Sequence, residues 1–171
     1  MDSRQRDGML VIGIDPGTAI TGYGLVREDA DGSLEMVDFG VILTSAEAPM
    51  PERLLLLHEK LQEVLILHHP DSGAVEKLFF QRNVRTALSV GQARGVAMLS
   101  LAEERIPVAE YTPLEVKQAV AGFGGADKQQ VGQMVRALLG LAEVPEPDDA
   151  ADALAVAVCH IHSARMRALL D

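Results

Sequence analysis

The chain has 171 residues, a size at which a single domain can bury an adequate core without disulfides or structural metals. With 48% hydrophobic and 23% charged residues, its composition is globular and excludes a disordered or collagen-like chain. Fifteen Lys and Arg against 25 Asp and Glu give a formal charge of -10, which on average argues against a polyanionic partner such as nucleic acid. The lone cysteine, Cys159, has no internal disulfide partner, and no apolar run is long enough to span a bilayer. The opening stretch MDSRQRDG lacks the apolar region of a signal peptide, so the expectation is a cytoplasmic protein with no membrane association.

The elements follow in chain order. Met9–Ile14 is an apolar, partly β-branched run stopped by Asp15-Pro16-Gly17, and reads as a buried first strand. Strand-like segments at Ile20–Arg27 and Leu34–Thr44 flank the turn-rich residues 28–33, which predicts an antiparallel meander. Pro51–His69 is read as a helix with Leu54, Leu57, Leu61, Val64, Leu65 and His68 on one stripe. Gly73–Leu78 is a short apolar strand interrupted by Glu76, Val84–Arg105 a second long helix, and Ile106–Tyr111 a fifth strand closed by Pro113. Helices then follow at Leu114–Ala121, Lys128–Leu139 and about Asp149–Arg167, with a Gly-rich break at Gly122–Gly125. This order implies an α/β domain with a mixed five-stranded sheet flanked by helices, spanning residues 9–168 behind a disordered extension at 1–8.

The charge is unevenly spread along these elements. Residues 1–76 hold 5 basic and 14 acidic side chains and residues 137–171 hold 2 and 6, whereas residues 77–136 hold 8 and 5. Lys77 to Arg94 contains four basic residues and no acidic one. Such a segment can merely solvate a helix face, or it can meet a polyanion.

Four acids stand out by position. Asp15 ends the first strand, Glu76 interrupts an apolar strand, and Asp149 and Asp152 lie three apart on the last helix. Each has an ordinary explanation alone: a turn residue, an outward strand residue, and N-cap or first-turn acids favoured by the helix dipole. Brought together on adjacent central strands and a helix packed over them, they would form an oxygen-only cluster. Such a cluster does not stay ionised unpaired, and it suits Mg²⁺ or Mn²⁺. Two ions of this kind can clamp the attacking and leaving oxygens of a phosphodiester displacement. Spacing leaves Asp148 and Asp149 equivalent, because Asp148 is also one turn from Asp152. The histidines are poor rivals: His160 and His162 are about 200° apart around a helix and cannot share an ion.

The motifs IGIDPGTAITGYGLV at Ile12–Val26, AVEKLFFQRN at Ala74–Asn83, GQARGVA at Gly91–Ala97, VKQAVAGFGGADKQQV at Val116–Val131 and DAADALAVAVCH at Asp149–His160 occur in the order of a known family. From about residue 9 to 162 the chain resembles the RuvC Holliday-junction resolvases. The resemblance implies an RNase H-like fold, a homodimer, and cutting of two opposed strands of a four-way DNA junction with two Mg²⁺ or Mn²⁺ ions per site, in homologous recombination and DNA repair. It also implies cooperation with the RuvA and RuvB branch-migration proteins. Carried over by motif, the metal ligands are Asp15, Glu76, Asp149 and Asp152, which selects Asp149 over Asp148. Lys117 and Lys128 match basic positions near the cut, and Phe79 matches an aromatic residue that inserts among bases. Arg82, Arg85 and Arg94 follow on the basic segment, with Arg82 expected on DNA and the other two either there, on the helix surface or at the dimer contact. Gly91 and Gly95 form a small-residue face on the helix used for dimerisation. The first motif also resembles the phosphate-binding turn of actin-like ATPases and sugar kinases, but those pair two such domains around a nucleotide.

Overall fold

The computed structural model describes residues 8–77 and 84–171. Strands β1 (Gly8–Asp15), β2 (Ile20–Asp29) and β3 (Leu34–Leu43) are followed by helix α1 (Met50–His68), strand β4 (Ser72–Glu76), helix α2 (Val84–Glu103) and strand β5 (Val108–Tyr111). Helices α3 (Pro113–Ala121), α4 (Lys128–Leu138) and α5 (Asp148–Leu170) complete the chain. The strands form one sheet in the order β3-β2-β1-β4-β5; the first three pair antiparallel, while β1–β4 and β4–β5 are parallel.

Side-chain alternation along β1 divides the core in two. Leu10, Ile12 and Ile14 pack on one face with Leu57, Leu61 and Leu65 of α1 and Ala93, Ala97 and Leu101 of α2. Val11 packs on the other face, among α5 residues from Leu154 to Ile161 and residues of α3 and α4. Because α3 and α4 cover α5 on its outer side, that helix is buried without a break from Ala153 to Ile161.

Close approach of α5 depends on missing side chains below it. A Cβ on Gly13 would lie 2.1 Å from the Ala153 carbonyl oxygen, and one on Gly22 would lie 1.9 Å from that of Asp149. Any larger residue at either position would lift α5 off the sheet.

Element bounds differ from the expected ones mainly at ends. The fifth strand begins at Val108 rather than Ile106, since Pro107 has no N–H to donate to a ladder. The last helix continues to Leu170, and Arg167 in its final turn donates to the Tyr111 hydroxyl at 3.1 Å. Gly8 already pairs with Asp29 in β1, while residues 1–7 lie outside the described part. Of the expected α1 stripe, Leu57, Leu61 and Leu65 are buried, and His68 turns to Asp38 at 2.9 Å.

Candidate active site

Asp15 and Glu76 meet because of strand parity and register. Val11 and Ala74 face α5, so two-residue alternation puts Asp15 and Glu76 on that same side. The parallel β1–β4 register pairs Ile14 with Val75, which sets Asp15 and Glu76 side by side at the carboxyl ends of two central strands. Their carboxyl groups are hydrogen-bonded to each other. Open parallel sheets expose ligand sites at this strand end.

Helix α5 brings the other acids. With the Asp149 carbonyl seated on Gly22, the residue paired with Asp15, the first turn of α5 lies directly above the strand end. Asp149 and Asp152 both act on Asp15 by charge, and Asp148 and Asp149 both act on Lys128 and Asp152.

Burial, with Glu76, Asp152 and Asp149 adding to it, pushes the Asp15 carboxyl up from 3.8 to about 9. Burial also raises Asp152, opposed by Lys128, whose Nζ lies 3.6 Å from Asp152 Oδ2. That same contact holds the Lys128 ammonium above its usual range. The site therefore carries more negative charge than its own lysine compensates. Among the described residues, no three His, Cys, Asp or Glu side chains converge closely enough to ligate one ion as they stand.

Beside this cluster, Glu76, Lys117, Lys128 and Asp152 line a cleft of about 190 Å³ whose apolar walls are Pro113, Val116, Val131 and Ala155. Lys117 reaches it from α3, which Thr112 caps by accepting the Glu115 N–H at 3.2 Å. Lys128 is the first residue of α4, held by a capping box in which Asp127 accepts from the Gln130 N–H at 2.8 Å and Gln130 accepts from the Asp127 N–H at 2.9 Å. Phe79 and Arg82 lie outside the described residues. Arg94 is paired with Glu110 of β5 within the chain.

Two sets of polar residues escaped the sequence reading. Thr21 Oγ1 donates to the Gly17 carbonyl at 2.6 Å and accepts the Gly17 N–H at 3.2 Å, closing the Asp-Pro-Gly-Thr turn that ends in β2. A Thr four residues after a Pro-Gly step is a local signal that such a turn is tied. His160 bridges the Ser72 hydroxyl at 2.7 Å and the Tyr111 hydroxyl at 2.8 Å, fastening α5 to the start of β4 and the end of β5. Nothing local marks that link, since its members are 88 and 49 residues apart.

A family model described as Crossover junction endodeoxyribonuclease RuvC matches residues 11–160. A curated relative of that description from Desulfitobacterium hafniense (strain DSM 10664 / DCB-2) is 59% identical over 158 residues, covering 92% of this chain and 95% of the relative. One from Roseiflexus sp. (strain RS-1) is 59% identical over 155 residues, covering 91% and 92%. Among solved structures, Thermus thermophilus RuvC in complex with a Holliday junction substrate superposes with a TM-score of 0.89 at 42% identity, covering 93% of this chain and 96% of that one. The yeast mitochondrial Holliday junction resolvase Ydc2, at 16% identity and a TM-score of 0.70 over 98% and 84% of the two chains, shares the fold. The motifs, the RNase H-like sheet with its flanking helices and these matches over nearly the whole length agree, and the chain belongs to the RuvC family of crossover junction endodeoxyribonucleases.

Proposed function

We propose that this protein is a metal-dependent endonuclease that resolves Holliday junctions by nicking two opposed strands, in homologous recombination and DNA repair. The observation that carries the reading is the adjacency of Asp15 and Glu76 at the ends of β1 and β4 beneath Asp149 and Asp152 of α5. These four residues hold the ions: their donors are all oxygen, their charge is unbalanced within the chain, and hard divalent cations suit such a set. Two Mg²⁺ or Mn²⁺ ions bound there would activate water and stabilise the leaving oxygen. The protonation of Asp15 in the chain alone supports the fit, because a buried acid among like charges holds its proton until a cation replaces it.

The chain's own residues do the rest. Lys128 stands beside Asp152 at the cleft mouth and Lys117 lines its wall, so both can hold the phosphates flanking the cut. Phe79 stacks among bases at the junction centre and Arg82 takes a phosphate beside it. One nuclease domain, read as residues 9–168 and begun by Gly8 in β1, supplies one site.

A homodimer supplies two sites for a nearly two-fold substrate. Supporting that assembly, Val84, Leu88 and Leu99 of α2 are exposed on one stripe with Gly91 and Gly95, opposite the buried Ala93, Ala97 and Ser100. A Cβ on Gly95 would meet nothing within 4 Å, so this face is open to close approach by another helix. No described helix is long and apolar enough to cross a membrane. Action in the cytoplasm with RuvA and RuvB belongs to the same reading.

A synthetic four-way junction incubated with the protein and Mg²⁺ or Mn²⁺ tests it: paired nicks with directly ligatable ends are expected. An intact junction under both metals, or hydrolysis of ATP instead, would overturn it.

A further inference from the structure

We propose that the outer face of α4 and the loop before it form a second DNA contact, a strip that takes the strand flanking the scissile phosphate. Phe123 packs there on the face of a nucleotide and Arg136 holds a phosphate. The inference rests on the junction-cutting function proposed above.

The strip begins where α3 ends. Gly122 has φ 84 and its N–H bonds the Gln118 carbonyl, so the chain reverses in the left-handed conformation at the helix end. Phe123 follows, and it is 49% exposed. Gly124 then lies so close to α3 that a Cβ there would be 2.2 Å from the Leu114 side chain. The loop is thus pressed onto α3 while its aromatic residue stays half in solvent.

A hollow of about 480 Å³ separates this loop from α4, lined by Phe123, Gln129, Gln130, Gln133, Met134 and Arg136 among others. The chemistry of the lining is that of a polyanion contact. Helix α4, KQQVGQMVRAL, holds two basic residues and no acidic one, in a chain whose formal charge is -10. Asp127, which precedes α4, is engaged in its cap. Gln133 Oε1 accepts from Arg136 Nε at 3.1 Å, which orients the guanidinium and leaves its terminal amino groups for a phosphate. Glutamine amides bond phosphate and sugar oxygens without reading base identity.

Continuity with the cleft selects DNA over a protein partner. Lys128 opens α4 at the mouth of the candidate active site, and Arg136 follows eight residues later, about 12 Å along the helix axis. A strand whose scissile phosphate sits beside Asp152 and Lys128, at the first residue of α4, reaches this face by running toward the C-terminal end of that helix. Phe123 then offers a flat apolar surface to a sugar or an unstacked base, as aromatic residues do in sequence-tolerant binding.

The chain contains no tryptophan, so Phe123→Trp creates a single fluorescent reporter. Titrating that variant with a four-way junction in EDTA is expected to quench its fluorescence over the same concentrations that saturate binding. Phe123→Ala is expected to weaken junction binding about fivefold or more, with Phe123→Tyr restoring it. The melting temperature is expected to stay within about 2 °C, because the ring is half exposed. Arg136→Gln is expected to reduce the salt slope of binding by about 1. A wild-type protein that neither binds nor cuts junctions refutes the parent function. A wild-type protein that cuts, with unquenched Phe123→Trp and wild-type affinity in Phe123→Ala, refutes the strip alone. Fluorescence that changes with protein concentration in the absence of DNA would assign the face to self-association instead, and also overturn the proposal.

Discussion

Replacing Asp15 by Asn should stabilise the metal-free protein at neutral pH while abolishing cutting. The Asp15 carboxyl rises from 3.8 to about 9 in the fold, first through burial and then through Glu76, Asp152 and Asp149. Below pH 3.8 the folded and unfolded chains both carry this proton, and the group costs nothing. Between 3.8 and about 9 the unfolded chain releases a proton that the folded chain keeps, so stability falls as pH rises, and above about 9 the fall stops. The full difference corresponds to a ceiling of about 7 kcal/mol, of which about 5 kcal/mol has accrued by pH 7.5. Part of this shift is the hydrogen bond that the protonated Asp15 makes to Glu76, which an Asn amide N–H replaces with a weaker one. A net gain of about 2 kcal/mol remains, or roughly 4–8 °C in melting temperature for a chain of this size. Thermal unfolding in EDTA should therefore show Asp15→Asn melting above wild type at pH 7.5 and below it at pH 4.5, where only about 1 kcal/mol has accrued. Adding Mg²⁺ or Mn²⁺ at pH 7.5 should raise the wild type more than the variant. Equal melting temperatures at pH 7.5 without metal would refute the claim that the fold holds a strained anionic cluster there.

Three further outcomes follow from the same geometry. Glu76→Gln should abolish junction cutting and leave junction binding within about twofold, measured by gel shift and nicking on one substrate; retained cutting would remove Glu76 from the site. Gly22→Ala puts a Cβ 1.9 Å from the Asp149 carbonyl oxygen, and should cost about 2 kcal/mol or more in denaturant unfolding as α5 lifts. Cutting should fall with it, while a variant as stable as wild type would show that α5 is not seated on that glycine. Phe79→Ala should reduce cutting about tenfold with little change in melting temperature, and a large fall in melting temperature would instead make Phe79 a core residue.

The elements were legible in the sequence because their signals are local. An apolar run stopped by Asp-Pro-Gly marks β1, and a 3.6-residue stripe marks α1 through Leu57, Leu61 and Leu65. The acids were legible as oddities, each in a place where an acid is unexpected, and the motifs then named their role. Ends were less legible, as in the last turn of α5, where Arg167 bonds the distant Tyr111 hydroxyl.

Pairwise relations depended on the folded chain. Strand parity puts Asp15 on the α5 side, but only the parallel register with β4 sets Glu76 beside it, and only the glycine seats at 13 and 22 let α5 descend far enough to bring Asp149 and Asp152. Arg94 stands in a basic segment of the sequence, and only the fold shows that β5 sets Glu110 beside it. Net charge pointed away from DNA, yet the described basic residues Lys117, Lys128 and Arg136 gather around one cleft and one helix face. Periodicity reports which side of an element is buried; it carries no record of which other element lies against that side. The chemistry of this protein resides in those meetings between segments separated along the chain.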